Sequence, residues 1–317
     1  MLPYTPLELQ DVATIGYGSF GQVNLAWSNV KQQYYAVKTC NIHQVIQEGR
    51  VEYVKREKQL LFSVSFPFIV RLICTHMDRF SLYFVMEFVH GGELMNYLDD
   101  IEGENLSDTA RFYAMEIICA LEYIHSKSIV YRDLKPENLL LSIDGHVKLS
   151  DFGLAKLLKA KTYTVCGTME YMAPEIIMKK GYGLEVDWWS LGILIFELFT
   201  GNPPFYGDKE QIYSAICNVS VDIPESVPDV VRIVIQSLLN RDPSQRAHNI
   251  SEQKWFENID WEKVKRLTLQ PPIIPAEFDM KEMPPVAKDT NAEESMQRER
   301  DLFADWDEFC PCEARTT

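Results

Sequence analysis

Tyr131-Arg132-Asp133-Leu134-Lys135-Pro136-Glu137-Asn138, followed by the β-prone Val147-Lys148-Leu149 and then Asp151-Phe152-Gly153, is the stretch on which the reading of the whole chain turns. It places a carboxylate, a cation and a carboxamide in one short segment. Pro136 disfavours helix there, since proline has no N–H and its ring clashes with the preceding turn. Carboxylate and amide oxygens suit Mg²⁺, a hard cation that also takes phosphate oxygens. Asp133, Lys135, Asn138 and Asp151 are therefore the first candidates for chemistry on a phosphorylated ligand.

Toward the amino terminus, Gly16-Tyr17-Gly18-Ser19-Phe20-Gly21-Gln22-Val23 lies between two β-prone runs. Glycines allow backbone amides to approach phosphate oxygens. A glycine-rich hairpin would look the same. A dinucleotide fold needs a helix directly after the glycines, whereas a strand follows here, which favours a flap over a mononucleotide. Tyr35-Ala36-Val37-Lys38 puts a lysine in an apolar strand. It reads either as a snorkelling surface lysine or as a cation against phosphates, with Glu57 able to pair with it.

Around these motifs, residues 9–90 are strand-rich, with β-prone runs at 9–15, 22–28, 34–39, 69–74 and 82–88. A helix is expected over 44–62, with Val45, Val54, Leu61 and Phe62 available for packing. His90-Gly91-Gly92 reads as a hinge or turn. From Glu93 the pattern turns helical, and a helix over 108–125 has Ser107 as its expected N-cap. A strand-and-loop insert at 129–170 is followed by helices starting near Ala173, Val186, Lys209 and Pro228. At Pro271-Pro272-Ile273-Ile274-Pro275 the composition changes. Residues 271–317 hold 12 acidic and 5 basic residues, net −7, and read as an extended acidic tail. Its Phe303, Trp306 and Phe309 are expected to anchor on the folded body.

The 317 residues are 46% hydrophobic and 24% charged, so disorder throughout is excluded and the core is ample. A net charge of −15 argues against nucleic acid as the main partner. The longest apolar run, Trp188 to Thr200, is too short to span a bilayer. The amino terminus lacks the pattern of a secretory signal, and Leu2 does not suit N-myristoylation. The 7 scattered cysteines suggest reduced thiols in the cytoplasm, with nuclear entry open. Cys310-Pro311-Cys312 offers only two metal ligands near a chain end. The sequons at Asn105, Asn218 and Asn249 are read as chance matches.

Taken in order, the motifs resemble those of the eukaryotic protein kinases. Tyr131 before Arg132-Asp133, Thr164-Val165-Cys166-Gly167-Thr168 and Ala173-Pro174-Glu175 are similar to the AGC group, especially the catalytic domains of the cyclic-AMP- and cyclic-GMP-dependent kinases. Leu269 to Pro275 and Trp306-Asp307-Glu308-Phe309 lean toward the cyclic-GMP type. The resemblance implies an α+β bilobal fold: an antiparallel-sheet lobe with one major helix at 1–89, a mainly helical lobe at 90–256, and a tail at 257–317. It implies ATP and Mg²⁺, with the metal held by Asn138 and Asp151. Asp133 would handle the acceptor proton, Lys135 would contact the transferring phosphate, and Lys38, fixed by Glu57, would hold the α- and β-phosphates. Those side chains would converge in a cleft between the lobes. The nucleotide would also meet Ile15, Gly16, Gly18, Gly21, Val23, Ala36, Met86, the Glu87 to Val89 backbone, Glu93 and Leu140.

The same resemblance makes Thr164 an activation-loop phosphosite facing Arg132 and Lys156, and Tyr53 stands where relatives carry His. Glu93, Glu137, Glu170 and Glu197 would bind basic residues two and three positions before the acceptor. Val165, Met169 and Met172 would form an apolar pocket for the residue after it. Met169 stands where proline is usual. Glu175–Arg246 and Asp187 would support the large lobe. Ala292 stands where relatives carry a phenylalanine that reaches the nucleotide. Basic protein substrates, a regulatory subunit or inhibitor, and an upstream activating kinase are the implied partners. A pseudokinase that only binds partners, and a small-molecule kinase of similar fold, are the rivals.

Overall fold

The computed structural model describes residues 8–18, 21–97, 104–276, 285–286 and 297–309. The chain divides into two units that are not contiguous in sequence. The first comprises residues 8–65, 70–90 and the described part of the tail beyond 276; the second comprises 66–69 and 91–276.

In the first unit, β1 (Leu9–Gly18), β2 (Gly21–Ser28), β3 (Gln33–Asn41), β4 (Leu72–Met77), β5 (Ser81–Glu87) and β10 (Glu308–Phe309) form one antiparallel sheet in the order β1-β2-β3-β5-β4-β10. Side chains alternate across such a sheet. Leu9, Ala26, Tyr35, Val37, Ile73, Cys74 and Val85 make one buried cluster. Val23 pairs with Lys38 and Ala36 with Met86, so these four share the other face.

The expected helix over 44–62 is two helices, α1 (Ile42–Gln47) and α2 (Val51–Ser63). Gly49 sits at φ +64, and the N–H of Arg50 donates to Val45 O at 2.8 Å. That left-handed glycine stop ends α1 despite the continuous apolar pattern. Asn41 caps α1 by accepting from the Gln44 N–H at 3.0 Å. The strand expected from residue 69 starts only at Leu72; Ile69 instead bridges Leu149.

Residues 271–276 carry no helix or strand, whereas the described part of the tail from Gln297 is folded. It folds as α9 (Gln297–Arg300), one 3-10 turn (Asp301–Phe303) and β10, which adds an edge strand to β4. Phe303 and Trp306 are buried, and Trp306 meets Phe84 edge-on at 5.2 Å. Lys58 of α2 donates to the carbonyls of Asp305 and Trp306 at 2.6 and 2.8 Å and pairs with Glu308 at 3.1 Å. The Thr75 hydroxyl also donates to Trp306 O. Ser19, Phe20, Ala292, Cys310 and Cys312 lie outside the described residues, as does the side chain of Phe309.

The second unit is built on α3 (Glu104–Ser126), the hairpin β7 (Leu139–Leu141) with β8 (Val147–Leu149), the pair β6 (Ile129–Val130) with β9 (Lys156–Leu157), and helices α4 (Pro174–Ile177), α5 (Glu185–Thr200), α6 (Lys209–Asn218), α7 (Asp229–Leu238) and α8 (Trp261–Lys265). Ser107 is inside α3 rather than capping it, because the helix starts a turn earlier at Glu104. Nearly all of α5 is buried, as its two-sided apolar pattern requires. Among the described residues, no helix is long and apolar enough to cross a membrane.

Candidate active site

In the first unit, Lys38 Nζ lies 2.6 Å from Glu57 Oε1, with both side chains largely withdrawn from water. β3 supplies the lysine and α2 the glutamate, so the pair ties helix to sheet. Met86 is half-buried on the face it shares with Val23, Ala36 and Lys38. Ile15 is half-buried at a register shift between Thr14 and Gly16. The Glu87 N–H already donates to Arg71 O at 3.0 Å, so the Glu87 backbone can serve a ligand only as an acceptor. Val89 is buried.

The motif glycines differ in their internal reasons. A Cβ on Gly21 would collide with the carbonyl oxygen of Thr39, so close packing of the hairpin on β3 requires glycine there. Among the described residues, a Cβ on Gly16 would meet nothing closer than the Val23 Cβ at 3.9 Å. Folding does not account for that glycine, and close approach of an external group would. Gly18 pairs with Gly21 at the hairpin tip.

In the second unit, the Tyr131–Asn138 segment is suspended from Asp187 in the first turn of α5. One Asp187 oxygen accepts from the Tyr131 N–H at 2.8 Å and meets His125 Nε2 at 2.7 Å; the other accepts from the Arg132 N–H at 2.8 Å. Asp187 is fully buried, and these bonds offset the cost of desolvating its charge. Arg132 adopts φ +71 and Asp151 φ +41, conformations rare outside glycine and often found at functional sites.

Asp133 is 9% exposed and held from two sides. Oδ1 accepts from the Thr168 N–H at 3.2 Å and from its hydroxyl at 3.0 Å. Oδ2 accepts from Asn138 Nδ2 at 3.1 Å and lies 3.5 Å from Lys135 Nζ. Asn138 Nδ2 also donates to Asp133 O at 2.7 Å, which turns the amide oxygen away from Asp133. The Ser150 N–H donates to Asn138 O at 2.9 Å, bringing the residue before Asp151 onto the Asn138 backbone. Asp151 Oδ1 accepts from the Gly153 N–H at 3.0 Å. Burial, then the charges of Asp151, Asp133 and Asp187, push the Tyr131 phenol well above its ordinary range, so it stays a donor, to Ser150 O at 2.5 Å.

The donor chemistry fits Mg²⁺. Asn138 and Asp151 offer hard oxygens, and no group of three or more His, Cys, Asp or Glu that could hold a metal occurs among the described residues. A Mg²⁺ that keeps phosphate and water ligands needs only such a partial set.

Around Thr164, Tyr182 is the organiser, and the sequence alone gave it no role. Its hydroxyl donates to Thr164 O at 2.6 Å and accepts from Arg132 Nη1 at 3.2 Å. Lys156 Nζ donates to the Thr162 hydroxyl at 2.9 Å. Both cations expected to meet a phosphate on Thr164 are thus bound close to it in sequence or through one side chain. The guanidinium groups of Arg50 and Arg56 lie 4.8 and 5.1 Å from the Tyr53 ring centroid.

The four glutamates interact. Burial, then Glu137, raises the Glu93 carboxyl above its ordinary value. Burial raises that of Glu197, against the hydrogen bond from Tyr171 OH and with further upward pressure from Glu137 and Glu170. Tyr171 is the partner that a carboxylate inside the apolar Trp188–Thr200 run required. Leu140 is half-buried on β7 and bridges Glu93. Met172 joins the core with Met169 packed on it, while Val165 is exposed. Glu175 and Arg246 form a bidentate pair at 2.6 and 3.0 Å.

Residues 9–256 match the protein kinase domain family. The chain is similar to a Caenorhabditis elegans protein named "cAMP-dependent protein kinase, catalytic subunit-like", 42% identical over 94% of this chain and 78% of the relative. It is 46% identical to human cAMP-dependent protein kinase catalytic subunit PRKX, over 86% of this chain and 78% of that one. Saccharomyces cerevisiae cAMP-dependent protein kinase type 3 is 39% identical over 86% and 70%. These relatives carry the cyclic-AMP name, whereas the tail motifs leaned toward the cyclic-GMP type.

Proposed function

The chain belongs to the protein kinase domain family, and from that premise we propose that it transfers the γ-phosphoryl group of ATP to Ser or Thr hydroxyls of basic protein substrates. It is a protein Ser/Thr kinase similar to the cAMP-dependent catalytic subunits. The finer assignments that follow are our reading.

The observation that carries the reading is the fixation of Asp133 by Thr168, Asn138 and Lys135. One carboxylate is oriented by three side chains, as a residue that accepts or orients a hydroxyl proton requires. Lys135 would sit against the transferring phosphoryl group, and Lys38, oriented by Glu57, against the α- and β-phosphates. Asn138 Oδ1 and the Asp151 carboxylate would hold Mg²⁺, which would neutralise phosphate charge there. Gly16, Gly18 and Gly21 would let backbone amides approach the phosphates. Ile15, Val23, Ala36, Met86 and Leu140 would line the adenine, with Glu87 and Val89 giving backbone hydrogen bonds and Glu93 reaching the ribose side. The transition state of phosphoryl transfer is loose, so positioning and charge stabilisation supply most of the catalysis.

The interacting Glu93, Glu137, Glu170 and Glu197 support a preference for Arg or Lys two and three residues before the acceptor. A phosphate on Thr164, added by an upstream kinase, would take Arg132 and Lys156 as partners. The relatives are named catalytic subunits, which supports regulation by a separate chain. The proposed compartment is the cytoplasm, with nuclear entry open.

The test is Mg²⁺-dependent transfer from ATP to a basic serine peptide. Wild-type protein is expected to phosphorylate it, and Asp133→Asn to lose about 10²- to 10⁴-fold in kcat. Absence of transfer by the wild type would return the pseudokinase reading. An equal rate for a peptide without basic residues would reject the substrate assignment alone.

A further inference from the structure

The start of α2 carries a cluster that none of the roles above uses. Tyr53 is half-buried there, with Arg50 and Arg56 beside its ring at 4.8 and 5.1 Å from the centroid. The three residues stand three apart, so they share one face of the helix. Among the described residues neither guanidinium has a carboxylate partner, although the chain carries a net charge of −15. The neighbouring carboxylates are engaged elsewhere or open to water. Glu48 accepts from Gln44 Nε2 at 2.9 Å, Glu57 holds Lys38 at 2.6 Å, Glu308 takes Lys58 at 3.1 Å, and Glu52 is exposed. Two like charges beside one ring repel each other, and each is held there by the ring's electrons rather than by an anion.

The position of the cluster gives it leverage. Gly49 breaks the chain from α1 at φ +64, and Arg50, the residue before α2, gives the helix no side-chain cap. The junction rests on backbone hydrogen bonds, from the Arg50 N–H to Val45 O at 2.8 Å and from the Tyr53 N–H to Arg50 O at 3.0 Å. Glu57, the partner of Lys38, stands four residues after Tyr53 and directly after Arg56. An anion tying Arg50 to Arg56 would therefore span from the junction to the residue beside Glu57.

We propose that Tyr53 is a phosphorylation site, and that Arg50 and Arg56 hold its phosphate and fasten the start of α2. A phosphate on the phenol offers three strong acceptor oxygens, and each guanidinium presents a planar fork of donors to such oxygens. The step is phosphoryl transfer from ATP by a separate protein tyrosine kinase. A bond forms between Tyr53 Oη and the γ-phosphorus, the bond from that phosphorus to the β–γ bridging oxygen breaks, the phenolic proton passes to the base of that enzyme, and ADP leaves. The site stands on the geometry of α2 alone. Its effect on the nucleotide rests on the reading of Lys38 and Glu57 given above.

The experiment treats the folded full chain with the catalytic domain of a protein tyrosine kinase and ATP, and locates the phosphate by mass spectrometry. Tyr53 is expected to take it. Tyr17 and Tyr206, 78% and 82% exposed, are the controls for access, and phosphate on them with none on Tyr53 would overturn the proposal. A second preparation carries phosphotyrosine inserted at position 53 during synthesis. Its amides 51–57 are expected to exchange hydrogen about three- to tenfold more slowly than those of the unmodified chain, and its KM for ATP to fall about two- to threefold. With Arg50→Gln and Arg56→Gln together, the modified chain should exchange like its own unmodified form. Tyr53→Phe keeps the ring and should match the unmodified wild type in exchange and turnover. Equal exchange with and without the phosphate would overturn the proposal, and so would slowing that survives the double substitution. Slowed exchange with an unchanged KM for ATP would overturn the effect on the nucleotide alone. A chain that transfers no phosphate in any form would overturn the kinase reading, while the exchange measurement, which needs no turnover, would still judge this site.

Discussion

Two buried ion pairs, one in each unit, are built for different work. Glu175 and Arg246 meet through two oxygens and two nitrogens, and both side chains are almost fully withdrawn from water. The guanidinium also donates to Asn240 O at 3.0 Å and Glu185 O at 2.9 Å and lies over the Trp189 ring. Its donors are committed in fixed directions, so it works as a bracket. Lys38 and Glu57 meet through one oxygen at 2.6 Å, and the lysine keeps 15% of its side chain exposed. An ammonium on a flexible stem is a point charge that can turn toward another anion. The difference teaches that burial and charge pairing do not by themselves mark an active site. The kind of cation separates the two pairs here: a guanidinium fork with fixed directions in one, an ammonium on a flexible stem in the other.

The contrast can be broken most directly at Arg246. Arg246→Ala leaves Glu175 buried without a counter-charge and is expected to cost about 3–5 kcal/mol in denaturant unfolding. A loss no larger than that of an exposed pair would end the distinction. Lys38→Met is expected to lower kcat/KM for ATP by roughly 10²-fold, within the range seen when one electrostatic contact to a transition state is removed. Its unfolding midpoint should fall, since Glu57 is left largely buried, but by less than in Arg246→Ala because the Lys38–Glu57 pair keeps more solvent contact, and a fall matching Arg246→Ala would make Lys38 another bracket. Thr164→Ala should lower activity about tenfold relative to protein phosphorylated there, since it removes the charge that Arg132 and Lys156 would bind. Equal turnover of the two forms would discard the phosphosite.

The smallest effect sharpens the comparison through pH. Burial raises the carboxyls of Glu93 and Glu197 above their ordinary value. A carboxyl whose folded pKa is raised binds more protons folded than unfolded. Its stabilising contribution is complete below the unfolded pKa and is lost as pH climbs through the folded one. Binding runs the opposite way, because only the ionised form attracts arginine. The KM for a basic peptide should therefore rise on acidification before an ordinary glutamate would titrate, by about two- to threefold. Glu197→Gln should flatten that profile and make stability less dependent on pH across the same window. A KM profile unchanged by the substitution would remove Glu197 from substrate binding.

Local sequence carried the motif residues well, because their chemistry is written in residue type and short spacing. Asp133, Asn138, Lys135 and the Thr164–Thr168 segment could be named before any coordinates. Element boundaries were less legible. Gly49 cut a helix that the apolar pattern ran straight through, and α3 began before its supposed cap at Ser107. The partners that hold the site were hardly legible at all. Thr168 on Asp133, Tyr182 on Thr164 and Tyr171 on Glu197 are polar residues of ordinary type, distant in sequence from the groups they orient. The tail's aromatic anchors were legible from their type, but not the donors that fix them: Lys58 and Thr75 donate to the backbone just before the short edge strand.

The sequence by itself determined the family and the fold class and named the candidate reacting groups, since glycine, lysine, aspartate and asparagine in that order already limit the chemistry. Only the tertiary structure decided which remote partners hold Asp133, Asp187 and Arg246. It also separated a glycine required by hairpin packing from one that folding does not account for. The reason is that hydrogen bonds and close packing depend on direction and distance between remote segments, which a linear pattern does not encode.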